Sequence, residues 1–100
     1  MAKTKEEAKK HINDYIQNNG GDYANWYVGI ASDIEQRLFS DHGVDQKNGH
    51  WAWAKCESAD VARDVEDYFV NTMGTKGGGG GGDETTKYVY AYKITSSTRE

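Results

Sequence analysis

The segment from Tyr27 to Leu38 joins a predicted strand end to a helix that carries an arginine. Tyr27 lies two residues before Gly29, and Arg37 follows Gly29 by eight residues. A further acidic residue, Glu66, lies in a later predicted helix. Arg37 and Glu66 each fall at the margin of an apolar helix face, where packing anchors the side chain while its charged end still reaches a cleft. A phenol, a guanidinium and a carboxylate in this pattern are candidates for one shared site.

This pattern resembles the second half of the GIY-YIG nuclease motif, in which a strand ends in Tyr-x-Gly and the next helix carries an arginine. The resemblance covers roughly residues 26–70 and implies hydrolysis of phosphodiester bonds in DNA or RNA. It implies that Glu66, with water ligands, holds one divalent metal, and Mg²⁺ suits a lone carboxylate because it keeps most of its waters. It also implies that Arg37 pairs with phosphate oxygens and that a tyrosine such as Tyr27 accepts the proton of the attacking water.

The chain departs from the family pattern before Tyr27, where no Gly-Ile-Tyr strand is found. The C-terminal run Lys87–Ile94 is tyrosine-rich and has strong strand character. If this strand takes the vacant position in the sheet, then Tyr88, Tyr90 or Tyr92 presents the missing phenol. The domain would then resemble a permuted GIY-YIG fold, with Tyr90 as the second catalytic tyrosine.

His42 is the remaining catalytic candidate. It follows Arg37 by five residues, one residue further than is usual in the family, and Asp41 takes the nearer position. A helix end also explains His42 and is the favoured interpretation, with the catalytic role as the alternative. The asparagine that the family carries after its glutamate helix is missing, because the glycine run Gly77–Gly82 occupies its place.

Capping residues and hydrophobic periodicity predict the elements that position these groups. Three helices are expected, from Thr4 to Asn19, from Ser32 to His42 and from Ser58 to Gly74. Three strands are expected over residues 26–31, 50–56 and 87–94. The order α-β-α-β-α-β predicts one α+β domain over residues 1–100, with a small three-stranded sheet packed against about three helices. Residues 76–86 are expected to form a glycine-rich loop and residues 95–100 a frayed tail.

Three further features have alternative explanations. Trp51 and Trp53 share one side of a predicted strand, where core packing is the favoured interpretation and a base-stacking platform is the alternative. The run Gly77–Gly82 could wrap a phosphate with its amides, although it lacks the Lys-Ser/Thr ending of a P-loop. Cys56, the single cysteine, is predicted to be a structural strand residue.

Composition restricts the classes of function. The charged N-terminus lacks the apolar centre of a signal peptide, and no apolar run approaches the ~20 residues that span a bilayer. Together with the single cysteine, this predicts a soluble cytoplasmic protein with no membrane partner. The net charge of -4 works against nonspecific binding of nucleic acid, which is the partner that the resemblance implies.

The acidic balance and the missing strand keep two other classes open. One is a catalytically inactive module that retains the fold and binds nucleic acid or a protein partner. The other is a small acidic inhibitor, of the kind phages use, that occupies a basic surface on its target. Fold alone does not decide among these classes.

Overall fold

The structure is a computed structural model, and it describes residues 2–77 and 84–99. Two α-helices, two π-helical segments and four strands follow one another along the described chain: α1 (Lys5–Asn18), β1 (Trp26–Ala31), π1 (Gln36–Asp41), β2 (Trp51–Lys55), α2 (Ala59–Asp67), π2 (Tyr68–Met73), β3 (Lys76–Gly77) and β4 (Tyr88–Lys93). A short 3₁₀ turn, Tyr23–Asn25, leads into β1. No helix within the described residues is long and apolar enough to cross a membrane.

The four strands form one mixed sheet in the order β2-β4-β1-β3. Strand β4 runs antiparallel to both of its neighbours, while β3 runs parallel to β1. The predicted α+β class is confirmed, but the sheet has four strands instead of three. The extra strand, β3, takes the first two residues of the segment 76–86 that was expected to be a loop.

Gly77 explains why so short a strand can pair at this edge. Its φ is +131°, and a Cβ added there would lie 2.1 Å from the carbonyl oxygen of Val28. Only glycine therefore allows the two backbones to approach this closely. The other glycines of the run, 78–82, lie outside the described residues, so the interpretation of the run as a phosphate-wrapping loop also lies outside them.

Capping interactions define where the helices begin. Thr4 and Glu7 form the predicted capping box, and Ser58 caps α2 through the amide of Val61. The predicted cap at Ser32 is wrong by one residue: the carboxylate of Asp33 instead accepts a hydrogen bond from the Gln36 amide at 3.1 Å. The segment that follows is π-helical, with the His42 amide donating to the Arg37 carbonyl at 2.9 Å.

The sheet separates two cores. Helices α1 and α2 cover one face, where Val28, Val89 and Ala91 are buried. The π1 segment and the loop after it cover the other face, where Leu38, Val44, Tyr90 and Tyr92 are buried. The predicted alternation along the C-terminal strand is confirmed, since its tyrosines and its small residues lie on opposite faces.

Cys56 belongs to the helix-covered core and is fully buried. Burial raises the pKa of its thiol to about 11, so the group stays protonated at neutral pH. A protonated, inaccessible thiol is a poor nucleophile and a poor metal ligand. The structural interpretation of Cys56 agrees with this environment.

The C-terminal residues 95–99 are docked onto the π1 side, although fraying was expected. The Arg99 amide donates to the His42 carbonyl at 2.7 Å, and its guanidinium donates to the Ser40 carbonyl at 2.9 Å. These bonds satisfy backbone acceptors at the end of π1 that would otherwise need water. The sequence carries no signal for a contact between residues so far apart.

We expect Gly77→Ala to destabilise the domain by about 2–3 kcal/mol, because the added methyl group meets the Val28 carbonyl at a positive φ. Gly74→Ala is the matched control, since Gly74 also has a positive φ (+91°) but nothing lies within 4 Å of the place that its added methyl group would occupy. Urea unfolding of the two variants provides the comparison. Equal losses would contradict the close approach of β3 to β1.

Candidate functional site

Strand pairing brings two of the predicted catalytic tyrosines together. In the β1–β4 ladder, Tyr27 pairs with Tyr92 and Gly29 pairs with Tyr90. The ring of Tyr27 stacks on Tyr92 with 5.2 Å between centroids, and lies 6.4 Å from the ring of Tyr90. Tyr27 is half-buried, whereas Tyr90 and Tyr92 are fully buried beneath it. Tyr27 is therefore the phenol of this group that is closest to solvent.

Gly29 allows the ring of Tyr90 to cross β1. A Cβ added to Gly29 would lie 2.5 Å from the Tyr90 hydroxyl and 2.7 Å from its Cζ. Any other residue at this position would displace the ring. The glycine of the Tyr-x-Gly pattern thus has a direct steric role, which sequence reasoning did not identify.

His42 binds the Tyr90 hydroxyl from the end of π1. Its Nε2 lies 2.8 Å from that hydroxyl, and its Nδ1 lies 2.6 Å from the Arg99 carbonyl oxygen. Because a carbonyl oxygen only accepts hydrogen bonds, Nδ1 carries the proton and Nε2 accepts from Tyr90. The imidazole also lies 4.7 Å from the ring of Tyr27, measured between centroids. His42 is therefore buried and bonded through both ring nitrogens in the middle of the tyrosine cluster.

The Tyr90 phenol also lies within electrostatic reach of the two predicted charged groups. Burial raises the pKa of Tyr90, and the nearby Tyr27 raises it further, while Arg37 lowers it. Glu66 makes a smaller contribution that raises the pKa. Arg37 comes from π1 on one face of the sheet and Glu66 from α2 on the other, and both lie within coulombic range of the Tyr90 hydroxyl.

Arg37 is half-exposed and pairs with Asp41 at 3.4 Å. An exposed pair of this kind contributes little to stability, with a typical value of about 0–1 kcal/mol. The guanidinium can therefore exchange Asp41 for another anion at small cost. A phosphate would offer it two oxygens in a better geometry.

Glu66 is only 7% exposed, yet its carboxylate accepts no hydrogen bond from the residues that the structure describes. Desolvation raises its pKa, Arg63 lowers it and Asp67 raises it. The side chain lines a cleft of about 530 Å³ that also reaches Gly77 of the edge strand β3.

A divalent cation fits Glu66 as a single protein ligand. Residues 2–77 and 84–99 contain no group of three or more His, Cys, Asp or Glu side chains that could hold an ion. A partly desolvated carboxylate with free oxygens, opening into a cleft with room for water, agrees with a metal that keeps most of its hydration shell. The residues present are thus compatible with Mg²⁺ at Glu66.

Sequence reasoning named Tyr92 only as an alternative to Tyr90, missed the carbonyl of Arg99 and assigned Trp53 to the core. Tyr92 stacks on Tyr27, and its hydroxyl lies 3.1 Å from Nδ1 of His42. Its position two residues from Tyr90 on one strand face was the available signal. Nothing in the sequence indicated that the Arg99 carbonyl would bind His42. Trp53, for which core packing was favoured, is 45% exposed and does not belong to the core.

Comparison of the chain with protein-family models, with curated proteins and with solved structures found no match. The class of this protein is therefore defined by its fold: a small α+β domain with a four-stranded mixed sheet, whose Tyr90 hydroxyl bonds His42 and lies within coulombic range of Arg37 and Glu66.

Gly29→Ala is expected to cost about 1–3 kcal/mol of stability, because the methyl group displaces the Tyr90 ring and breaks its bond to His42. The loss is expected to be smaller in a Tyr90→Leu background, which lacks the clashing atoms. A double-mutant cycle from urea unfolding measures this coupling. Additive losses would show that the ring does not cross Gly29.

Neutralising Glu66 is expected to stabilise the domain at pH 7. The raised pKa of Glu66 means that its contribution to stability is fully present below its ordinary pKa of 4.5 and is lost as the pH rises through the folded-state value. Glu66→Gln should therefore melt above wild type at pH 7 and show no gain at pH 4, as measured by thermal unfolding at the two pH values. Glu57→Gln, an exposed control, should show no gain at either pH.

Proposed function

We propose that this domain hydrolyses phosphodiester bonds in nucleic acid, as a divergent nuclease of GIY-YIG type. The observation that carries the proposal is the convergence of Tyr27, Arg37 and Glu66, from three separate elements, on the buried phenol of Tyr90. Strand β4 would stand in for the missing Gly-Ile-Tyr strand, which makes the fold a permuted version of the family arrangement. The pairing of β4 with β1 supports this, because it sets Tyr90 over the glycine of Tyr-x-Gly.

Each side chain then has a role that follows from its surroundings. Tyr27 is half-buried, so its hydroxyl would relay the proton of the attacking water: it receives that proton and releases its own to a solvent water. Tyr90 and His42 lie beneath it as a hydrogen-bonded pair and act as positioning residues. Arg37 leaves Asp41 and binds the phosphate oxygens, offsetting the negative charge that develops on them.

Glu66 would hold a divalent metal such as Mg²⁺, which when bound supplies a Lewis acid for the scissile phosphate and stabilises the leaving oxygen. Without a cation, burial disfavours the charged form of Glu66. A positive ligand reverses that preference, so the carboxylate is suited to binding a cation. A cytoplasmic setting, where thiols stay reduced, belongs to the same proposal and agrees with the free, buried Cys56.

The ion pair between Arg37 and Asp41 favours a second candidate function. If that pair persists when a ligand arrives, the guanidinium cannot reach a phosphate, and the domain is then a non-catalytic module that binds nucleic acid or a protein. The two candidates differ in whether any substrate is cleaved. They also differ in whether Glu66 binds a cation.

Plasmid nicking with Mg²⁺ is the direct test of the nuclease. Glu66→Gln is expected to reduce the rate by at least about 100-fold, since its amide is a weak metal ligand, and Tyr27→Phe by about 100-fold through loss of the proton acceptor. Glu57→Gln should cleave like wild type. Circular dichroism checks that each variant is folded. If the folded wild type cleaves neither plasmid, single-stranded DNA nor RNA, the nuclease is excluded and the non-catalytic module becomes the remaining candidate.

A thermal shift provides a readout that does not depend on activity. Mg²⁺ at ten times its dissociation constant should stabilise the wild-type domain by about 1.4 kcal/mol. Glu66→Gln should lose this shift, and Glu57→Gln should keep it. An equal shift in all three proteins would remove Glu66 from the proposed metal site.

A further inference from the structure

A second cleft lies on the π1 side of the sheet, and the proposed nuclease does not use it. It measures about 370 Å³, within the usual range of small-molecule sites. Its walls include four aromatic residues and two acidic ones: Asp33, Glu35, Phe39, Trp51, Trp53 and Tyr88. Trp53 is the large apolar side chain that the described part of the chain leaves exposed. Because three further aromatic residues line the same cleft, the exposed Trp53 belongs to a group of aromatic side chains and is not a single scattered surface residue.

The four rings form two crossed pairs. Phe39 and Trp51 lie 5.1 Å apart at 81°, and Trp53 and Tyr88 lie 5.7 Å apart at 62°. In a crossed pair the edge of one ring meets its partner, so one ring keeps a face that the partner does not cover. Aromatic faces carry negative electrostatic potential and attract cations.

The charges around the cleft favour the same kind of ligand. Asp33 and Glu35 contribute two carboxylates, and no lysine or arginine is among the residues that line the cleft. The ammonium group of Lys55 already lies 6.0 Å from the centroid of the Tyr88 ring, on the same group of aromatic residues. A nucleotide would bring its phosphate towards two carboxylates, which opposes the base-stacking alternative for Trp53.

We propose that this cleft binds a small quaternary ammonium compound. Such a cation spreads its charge over methyl groups and has no N–H donors, so it loses little hydration when it contacts ring faces. The carboxylates of Asp33 and Glu35 attract it without needing a hydrogen bond. A primary ammonium or guanidinium group would remain better hydrated in an open cleft.

Choline is the probe, and 3,3-dimethylbutan-1-ol is its neutral counterpart of the same shape. Tryptophan fluorescence and calorimetry are expected to show choline binding in the millimolar range or tighter, with the neutral alcohol at least about tenfold weaker. Trp53→Leu should weaken choline binding by about tenfold, and Trp53→Phe by less, because an aromatic face remains. Glu35→Gln should weaken it a few-fold, and the remote Glu57→Gln should not change it.

Four results would overturn the proposal. Equal binding of choline and the alcohol would show that the cleft recognises apolar shape only. Choline binding that survives in a folded Trp53→Leu variant would place the ligand elsewhere. Mononucleosides that bind at Trp53 more tightly than choline would make the cleft a base platform. A trimethyllysine peptide that binds at least about tenfold more tightly than choline would assign it to a protein tail.

Discussion

The antiparallel pairing of β1 with β4 is the constraint on which the rest of the structure depends. It sets Gly29 opposite Tyr90, and because glycine has no Cβ the ring of Tyr90 crosses β1 at that point. The crossing places the phenol against His42 and beneath Tyr27. A shift of one residue in this register would turn the tyrosines of β4 towards the helices and leave small residues under π1. Both the second core and the candidate site would then be lost together.

The same pairing explains how two layers reach one site. Arg37 lies in π1, on the tyrosine face, and Glu66 lies in α2, on the opposite face. Both nevertheless lie within coulombic range of the Tyr90 hydroxyl, on the inner strand β4. On the β3 side, Gly77 allows the two-residue edge strand to approach Val28 closely, and the cleft that Glu66 lines reaches this glycine.

Local patterns predicted most of the fold, and only part of the site. Capping residues and alternation located the helices and strands, and the shared face of Tyr90 and Tyr92 followed from the two-residue period. Strand β3 could not be predicted because its pairing depends on a close backbone approach at Gly77, which becomes visible only in three dimensions. The contact of Arg99 with His42 joins residues 57 apart in sequence, and no periodic signal exists for it. Trp53 has a core-like residue type, but it lies on the edge strand β2 beside an open cleft, where its side chain stays partly exposed.

The charges around the candidate site bear on the proposed function. Burial raises the pKa of both Glu66 and Tyr90, so neither group is stabilised in its charged form by the protein alone. The residues near Glu66 include Asp64 and Asp67, which attract cations and repel phosphates, and Arg63, which has the opposite effect. In the proposed nuclease, a phosphodiester that arrived before a cation would meet the two aspartates with Arg37 still paired to Asp41. A cation bound beforehand would reduce that repulsion, so the proposal orders the cation before the nucleic acid.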